Sequence, residues 1–107
     1  MPDKIRVLIA DDSGLMRLII SDIINSEQDM EVIGTASDGE EAVQNALRLS
    51  PDVLVLDMYM GKYDGTYVVK HLLQQKNLPI LILSSMGNSN LEPIVEALHL
   101  GAFDYVN

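Results

Sequence analysis

Three aspartates stand directly after two short, mostly apolar stretches of the chain. Asp11 and Asp12 follow Ile5–Ala10, and Asp57 follows Pro51–Leu56. Each stretch is bounded by turn-forming residues, which is the pattern of a buried strand. If the two strands are parallel neighbours, the three carboxylates meet at one edge of a sheet. Like charges that close repel one another, so the pattern favours a cation between them.

These oxygen donors predict a Mg²⁺ site. Mg²⁺ takes oxygen ligands in octahedral array and keeps several waters, which leaves room for a phosphoryl donor. Asp57 can then act as a nucleophile toward phosphorus and form an aspartyl phosphate. Ser84 follows the apolar run Ile80–Leu83 and is placed to donate a hydrogen bond to a phosphoryl oxygen. By itself, an Asp-Asp pair after a strand is as often part of a turn or a helix cap as it is part of a functional site.

Length and composition limit the class of protein. The chain has 107 residues, of which 48% are apolar, which predicts one domain with a single core. The net charge of −9 argues against a nucleic-acid surface, which needs a basic face. There is no cysteine, which excludes a disulfide framework and fits the cytoplasm. Apolar runs are far shorter than the ~18 residues of a membrane span, and no signal peptide is recognisable.

Hydrophobic periodicity predicts alternating strands and helices. Strands are predicted at Ile5–Ala10, Met30–Ala36, Pro51–Leu56 and Ile80–Leu83, with a fifth beginning at Asp104. Helices are predicted at Gly14–Asn25, from Asp38 to Ser50, from Gly65 to Asn77, and from Leu91 to Gly101. This βαβαβαβαβ order implies a parallel sheet with right-handed crossovers. In such sheets ligands bind beyond the carboxyl ends of the strands, where the strand order reverses.

Each predicted helix carries an apolar stripe that is interpreted as core. In the first helix the stripe comprises Leu15, Met16, Ile19, Ile20, Ile23 and Ile24. The stripes of the later helices comprise Ala42, Val43, Ala46 and Leu47, then Val68, Val69, Leu72 and Leu73, and finally Leu91, Ile94, Val95 and Leu98.

Over nearly its whole length the chain resembles the receiver domains of two-component response regulators. The resemblance rests on Asp11-Asp12, Asp57, Asp64-Gly65, Ser84 and the Gly101-Ala102 turn before Tyr105. It implies a flavodoxin-like, doubly wound parallel α/β sheet with strand order 2-1-3-4-5. It also implies a cytoplasmic phosphorelay receiver with no membrane or nucleic-acid contact of its own.

The resemblance assigns roles to individual residues. Asp57 becomes the phosphoacceptor, and a sensor histidine kinase becomes the phosphodonor. Asp12 becomes a direct Mg²⁺ ligand, Asp11 acts partly through water, and the backbone carbonyl of Tyr59 completes the protein ligands. Ser84 and Tyr105 become the switch pair, in which the hydroxyl moves toward the phosphate and the ring follows inward. Such a domain catalyses only its own phosphorylation and dephosphorylation, and an output domain or protein reads the result.

Within that family the chain is most similar to the chemotaxis protein-glutamate methylesterases. The stretches that carry this likeness are Asp11–Arg17, Ser84-Ser85 and Gly101–Val106. In those proteins the receiver is the N-terminal regulatory half and the esterase follows it. The methylesterase catalytic residues would therefore lie outside these 107 residues.

The chain departs from the family pattern at three places. Gly61 stands where the family usually has Pro, which predicts a looser loop. Tyr59 is bulky beside the path of attacking water, which predicts a long-lived phosphoryl group. The family places a Lys directly after the position of Asn107, and a fifth helix beyond it. The lysines at 4, 62, 70 and 76 do not stand at that position.

The third departure predicts that residues 1–107 are a C-terminally truncated receiver domain. Without a fifth helix, apolar surface beside the first helix should be exposed, and this favours a homodimer, exchange of elements between chains, or weak stability.

Three alternatives remain at this stage. A phosphatase with an aspartyl nucleophile wants one residue between its two aspartates, whereas Asp11 and Asp12 are adjacent. A flavin or nucleotide module needs a Gly-rich phosphate loop, and none follows a strand. A receiver-like docking module that takes no phosphate is disfavoured by the acidic triad but favoured by the missing Lys.

Overall fold

The computed structural model describes residues 3–61, 63–75 and 77–83, and the backbone of 104–106. The elements are β1 (Ile5–Ala10), α1 (Gly14–Asn25), β2 (Met30–Ala36), α2 (Gly39–Leu49), β3 (Val53–Asp57), α3 (Gly65–Leu73), β4 (Ile80–Leu83) and β5 (Asp104–Val106). The predicted fourth helix and Ser84 lie outside the described residues, as does the side chain of Tyr105.

The five strands form one parallel sheet in the order β2-β1-β3-β4-β5. This confirms the predicted flavodoxin-like α/β fold and its strand order. The pairing of β1 with β2 contains one irregularity that sequence reasoning did not foresee. Val7 pairs with Val32 whereas Leu8 pairs with Gly34, so Ile33 is an extra residue on β2.

Alternate residues of the central strands face opposite sides of the sheet. On one side, Leu8, Leu54 and Leu56 pack with buried residues of α2 and α3 into the larger core. The contributions from α2 are Ala42 and Ala46, and those from α3 are Val68, Val69 and Leu72. The inward faces predicted for these two helices are therefore largely confirmed, although Leu47 is exposed.

The other side of the sheet holds a smaller cluster built on Val7, Ile9 and Val55. From α1, only Ile20 and Ile24 pack against this cluster, and no residue of α1 is fully buried. The prediction that the whole apolar stripe of α1 is core is therefore wrong. The stripe is wider than the narrow side with which α1 touches the sheet, so four of its residues remain exposed. These four are Leu15, Met16, Ile19 and Ile23.

Each of the three described helices begins just past the carboxyl edge of the sheet, behind a side-chain cap. Ser13 accepts a hydrogen bond from the Met16 amide at the start of α1. Asp38 and Asp64 do the same for Glu41 and Tyr67 at the starts of α2 and α3. These caps fix where the loops at this edge turn into helix. Among the described residues, no helix has both the length and the apolar character needed to cross a membrane.

Candidate metal centre

The register of the sheet explains why the aspartates meet. β1 and β3 are parallel neighbours, and their last pair is Ala10 opposite Leu56. The next residue along each strand is an aspartate, so Asp11 and Asp57 stand side by side at the carboxyl edge. β1 lies between β2 and β3 in the sheet: the chain passes from β1 to β2 on one side and then returns through α2 to β3 on the other side. The aspartates therefore lie at the point where strand order reverses.

The structure brings together the three carboxylates that the sequence suggested would meet. One oxygen from each of Asp11, Asp12 and Asp57 lies within 4.8 Å of the other two. Asp11 is 6% exposed and Asp57 is 4% exposed, whereas Asp12 faces solvent. A ligand approaching from solvent therefore meets Asp12 first, with two buried carboxylates behind it.

Asp11 is held by hydrogen bonds at its carboxylate, its amide nitrogen and its carbonyl oxygen. Its carboxylate accepts a bond from the Ser13 amide at 2.9 Å, and its own amide donates to the Ala36 carbonyl at 3.0 Å. Its backbone carbonyl accepts a bond from Arg17 Nη1 at 2.7 Å. Arg17 is a neighbour of the site that sequence reasoning missed as a contact. Its place near the start of α1 indicated that it lies close to the loop carrying Asp11, but nothing in the sequence marked the Asp11 carbonyl as its acceptor.

The loop after Asp57 is tied to the acidic cluster at its beginning. The Tyr59 amide donates a hydrogen bond to Asp57 Oδ1 at 3.0 Å. The Tyr59 side chain is half-buried and packs against the larger core. Met58 and Met60 are almost fully buried and pack into the larger core. The start of this loop is therefore anchored through both its backbone and its side chains.

Gly61 lies at the outermost turn of the same loop and has a φ of 70°. This left-handed conformation is accessible to glycine without a steric penalty, whereas proline cannot adopt it. The Pro that the resemblance would place here could therefore not adopt the backbone turn that Gly61 makes.

The donor set suits a hard divalent cation. Its three members offer only carboxylate oxygens, with neither sulfur nor imidazole among them. Two unit charges at 4.8 Å repel one another by about 3 kcal/mol at an effective dielectric constant of about 20. Three such carboxylates therefore favour a cation strongly, and two of them are already largely removed from competing water.

Fold and site together define a flavodoxin-like α/β protein with an acidic, metal-binding type of cluster at its topological switch point. The model of the response regulator receiver domain family matches residues 7–107. The chain belongs to that family, and as a receiver domain it receives a phosphorelay signal.

Among curated proteins, the chain is similar to chemotaxis methylesterases. It is 45% identical over 106 residues to a protein-glutamate methylesterase/protein-glutamine glutaminase of Caldanaerobacter subterraneus subsp. tengcongensis, covering 99% of this chain and 29% of the relative. The Bacillus subtilis protein of the same name is 42% identical over 102 residues, covering 95% and 29%. The chain thus spans less than a third of the length of these relatives.

Among solved structures, the response regulator domain of Thermotoga maritima CheB superposes with a TM-score of 0.90 at 38% identity, covering 97% of this chain and 78% of that one. A chain of the Borrelia burgdorferi CheX-CheY-BeF3-Mg²⁺ complex superposes with a TM-score of 0.83 at 31% identity, covering 100% and 79%. These likenesses confirm the receiver fold and the predicted kinship with chemotaxis methylesterases.

Proposed function

We propose that this chain is a Mg²⁺-dependent phosphorelay receiver in which Asp57 accepts a phosphoryl group from a phosphohistidine of a sensor histidine kinase. The observation that carries the proposal is the convergence of Asp11, Asp12 and Asp57 within 4.8 Å at the carboxyl edge of the sheet. Family membership and the likeness to a chain of the CheX-CheY-BeF3-Mg²⁺ complex support it.

In the proposed reaction a carboxylate oxygen of Asp57 forms the new bond to phosphorus while the bond from phosphorus to the histidine nitrogen breaks. The second ring nitrogen of the phosphohistidine takes a proton from water, so that the imidazole leaves as a neutral group when the bond breaks. Asp11, Asp12, Asp57 and the Tyr59 carbonyl would hold the ion. Bound Mg²⁺ supplies positive charge that offsets repulsion between these carboxylates and the incoming phosphate.

The chain's own residues do the positioning. The Tyr59 amide donates a hydrogen bond to Asp57 Oδ1 and so helps to fix the orientation of the acceptor carboxylate. The buried position of Asp57 limits the access of water to the acyl phosphate once it has formed. Ser84 is proposed to donate to a phosphoryl oxygen, and Tyr105 is proposed to follow it inward as the second half of the switch.

The likeness to methylesterases supports a role in chemotaxis. We propose that the phosphorylated receiver controls a protein-glutamate methylesterase output in the cytoplasm, as part of a longer protein or through a separate partner. The acidic net charge supports the expectation that nucleic acid is not a partner of this domain.

Labelling by a small-molecule phosphodonor tests the proposed chemistry directly. We expect the chain to incorporate one phosphoryl group in the presence of Mg²⁺ and to lose incorporation in EDTA and in Asp57→Asn. Asp52→Asn is the matched control, because Asp52 lies at the opposite end of the same strand segment and its side chain accepts a bond from the Arg6 amide. That variant should label like wild type.

Three other outcomes of this experiment would contradict the proposal, and each would favour a different explanation. Equal labelling of Asp57→Asn would reject Asp57 as the acceptor. Release of many phosphates per chain would favour an aspartyl phosphatase. Mg²⁺ binding without any labelling would favour the docking module that takes no phosphate.

A further inference from the structure

We infer that Gly39, at the start of α2, is a positioning residue for the metal centre, acting through the loop that follows Asp57. The inference rests on the proposed function, because it concerns how tightly that loop presents its carbonyl groups to Mg²⁺. Gly39 is remote from the aspartates in sequence and carries no side chain that could touch an ion.

The connection is a single hydrogen bond between two segments far apart in the chain. The Gly39 amide donates to the Tyr63 carbonyl at 2.7 Å. This amide belongs to the first turn of α2, where amides have no acceptor within their own helix. The neighbouring caps are local by contrast, since Asp38 accepts from the Glu41 amide and Glu41 accepts from the Ser37 amide. The Gly39 amide, which has no acceptor within α2, therefore holds the loop that follows Asp57 by its bond to Tyr63.

The contact requires a glycine. Gly39 is buried, and a Cβ built on it would lie 2.7 Å from the Tyr63 carbonyl carbon and 3.0 Å from Tyr63 Cβ, with the Tyr63 oxygen closer still. Carbon atoms pack best at about 3.5–4.0 Å, so any side chain would push the loop outward by roughly 1 Å. Most of these atoms are backbone, so rotation of a side chain cannot relieve the clash.

The loop that follows Asp57 is held by hydrogen bonds at both of its ends, so a displacement at Tyr63 affects the residues between them. Its far end is fixed where the Gly65 amide donates to the Met58 carbonyl at 3.1 Å, and Gly65 itself packs closely on Met58. Its near end is fixed by the bond from the Tyr59 amide to Asp57. Because both ends of the loop are held, we expect part of a displacement at Tyr63 to reach the segment that carries the Tyr59 carbonyl, even though Gly61 lies between them. Metal ligand distances tolerate errors of only about 0.2 Å.

Calorimetric titration with Mg²⁺ alone tests the inference on Gly39→Ala. We expect the dissociation constant to rise about tenfold, the lower end of what loss of a ligand-orienting contact costs. Gly14→Ala is the chemical match, because Gly14 also opens a helix behind a cap at this edge, but a Cβ there has only Arg17 Nη2 near it, at 3.5 Å. Asp38→Ala controls for a loss of stability at the start of α2, because it removes the cap of that helix without changing Tyr63. Both controls should bind Mg²⁺ within twofold of wild type.

Hydrogen exchange of the wild-type Gly39 amide supplies a readout that needs no variant. Because coupling between two sites is reciprocal, Mg²⁺ that binds the loop should slow exchange at Gly39 severalfold. The inference is overturned if Gly39→Ala binds as tightly as wild type, if Asp38→Ala weakens binding equally, or if Mg²⁺ leaves Gly39 exchange unchanged. Failure of wild type to bind Mg²⁺ at all would instead overturn the proposed function, and this inference with it.

Discussion

Asp57 carries a negative charge into a position that is 96% shielded from solvent, next to two further carboxylates. In the absence of metal this arrangement costs folding free energy. We therefore expect Asp57→Asn to raise the free energy of unfolding in EDTA by about 1–2 kcal/mol, since one of the repelling charges is removed. The asparagine oxygen can still accept the hydrogen bond from the Tyr59 amide.

Urea denaturation with and without Mg²⁺ provides the measurement. Wild type should gain stability as Mg²⁺ is added, because the ion binds the folded chain alone, and Asp57→Asn should gain much less. Asp52→Asn is again the control and should behave as wild type. A variant that is no more stable than wild type in EDTA would show that the cluster is not strained by its charges.

Tyr59 leads to a second prediction at the level of single residues. Its amide is bound to Asp57 and its half-buried ring packs against the core, so the side chain is held beside the acceptor. We expect Tyr59→Asn to speed autodephosphorylation about three- to tenfold, because a smaller polar residue there admits water more readily. That change corresponds to about 0.6–1.4 kcal/mol in the activation barrier. The decay of phosphorylated chain, followed after removal of the phosphodonor, measures it.

Tyr67→Asn is a suitable companion variant, since it makes the same replacement in α3, outside the loop that follows Asp57. Its decay rate should stay close to that of wild type. If Tyr59→Asn decays no faster than wild type, the ring does not shield the acyl phosphate.

At the level of single residues, the sequence predicted where the aspartates lie but not which hydrogen bonds surround them. Asp11 and Asp57 could be placed together because each directly follows an apolar run, and period and position within a strand can be read locally. The bonds from Arg17 to the Asp11 carbonyl and from Gly39 to Tyr63 could not be predicted in this way. In both bonds the acceptor is a backbone carbonyl and the donor belongs to another element. Because every residue has a backbone carbonyl, the sequence does not indicate which one accepts the bond.

At the level of elements, α2 is fixed at both of its ends by groups from other parts of the chain. At its carboxyl end, Arg6 of β1 donates from Nη1 to the Ser50 carbonyl at 2.7 Å and from Nη2 to the Leu49 carbonyl at 2.9 Å. A guanidinium there satisfies two carbonyls that the helix cannot and interacts favourably with the helix dipole.

We expect Arg6→Ala to lower the free energy of unfolding by about 1–2 kcal/mol, the usual scale for charged hydrogen bonds that are partly exposed. Arg6→Lys should lose roughly half as much, because one ammonium group cannot match the two-pronged geometry of a guanidinium. Lys4→Ala, which removes a charge from an exposed position nearby, should have little effect. Denaturation midpoints test this series.

The same series separates stability from function. Arg6 lies at the amino end of β1, away from the aspartates at the carboxyl end. Mg²⁺ affinity should therefore be unchanged in all three variants. A loss of affinity in Arg6→Ala alone would mean that α2 transmits changes along its whole length, from its carboxyl cap to Gly39.

Element boundaries were predictable where a local signal existed. β1 and β4 have the predicted bounds, and Asp38 and Asp64 cap helices as their residue types indicate. The apolar stripe of α1 misled because periodicity identifies an apolar face but not what covers it. That face was assigned to the core from its helical spacing alone, although exposed apolar surface beside the first helix was also predicted.

For the whole molecule, the two sides of the sheet are covered unequally. Within the described residues, α2 and α3 cover one side, and α1 is the single helix on the other. Leu15, Ile19 and Ile23 recur every fourth residue along α1, and Leu15 and Ile23 are 67% and 61% exposed. Contiguous apolar surface of this kind promotes association in water.

We therefore expect the chain to self-associate through this face of α1, as the sequence suggested for surface beside the first helix. Ile23→Lys should shift the equilibrium toward monomer and raise the dimer dissociation constant at least about tenfold, because burying an unpaired ammonium in the interface costs well over 1.4 kcal/mol. Sedimentation equilibrium over a range of chain concentrations measures this shift.

Leu47→Lys is the matched control for that experiment. Leu47 is also an exposed apolar residue on a helix, at 42% exposure, but α2 lies on the opposite side of the sheet. The same substitution there changes the net charge equally, from −9 to −8, but lies outside the α1 face, so it should leave association unchanged. A wild-type chain that is monomeric at every concentration, or equal dissociation by the two variants, would show that the α1 face does not drive association.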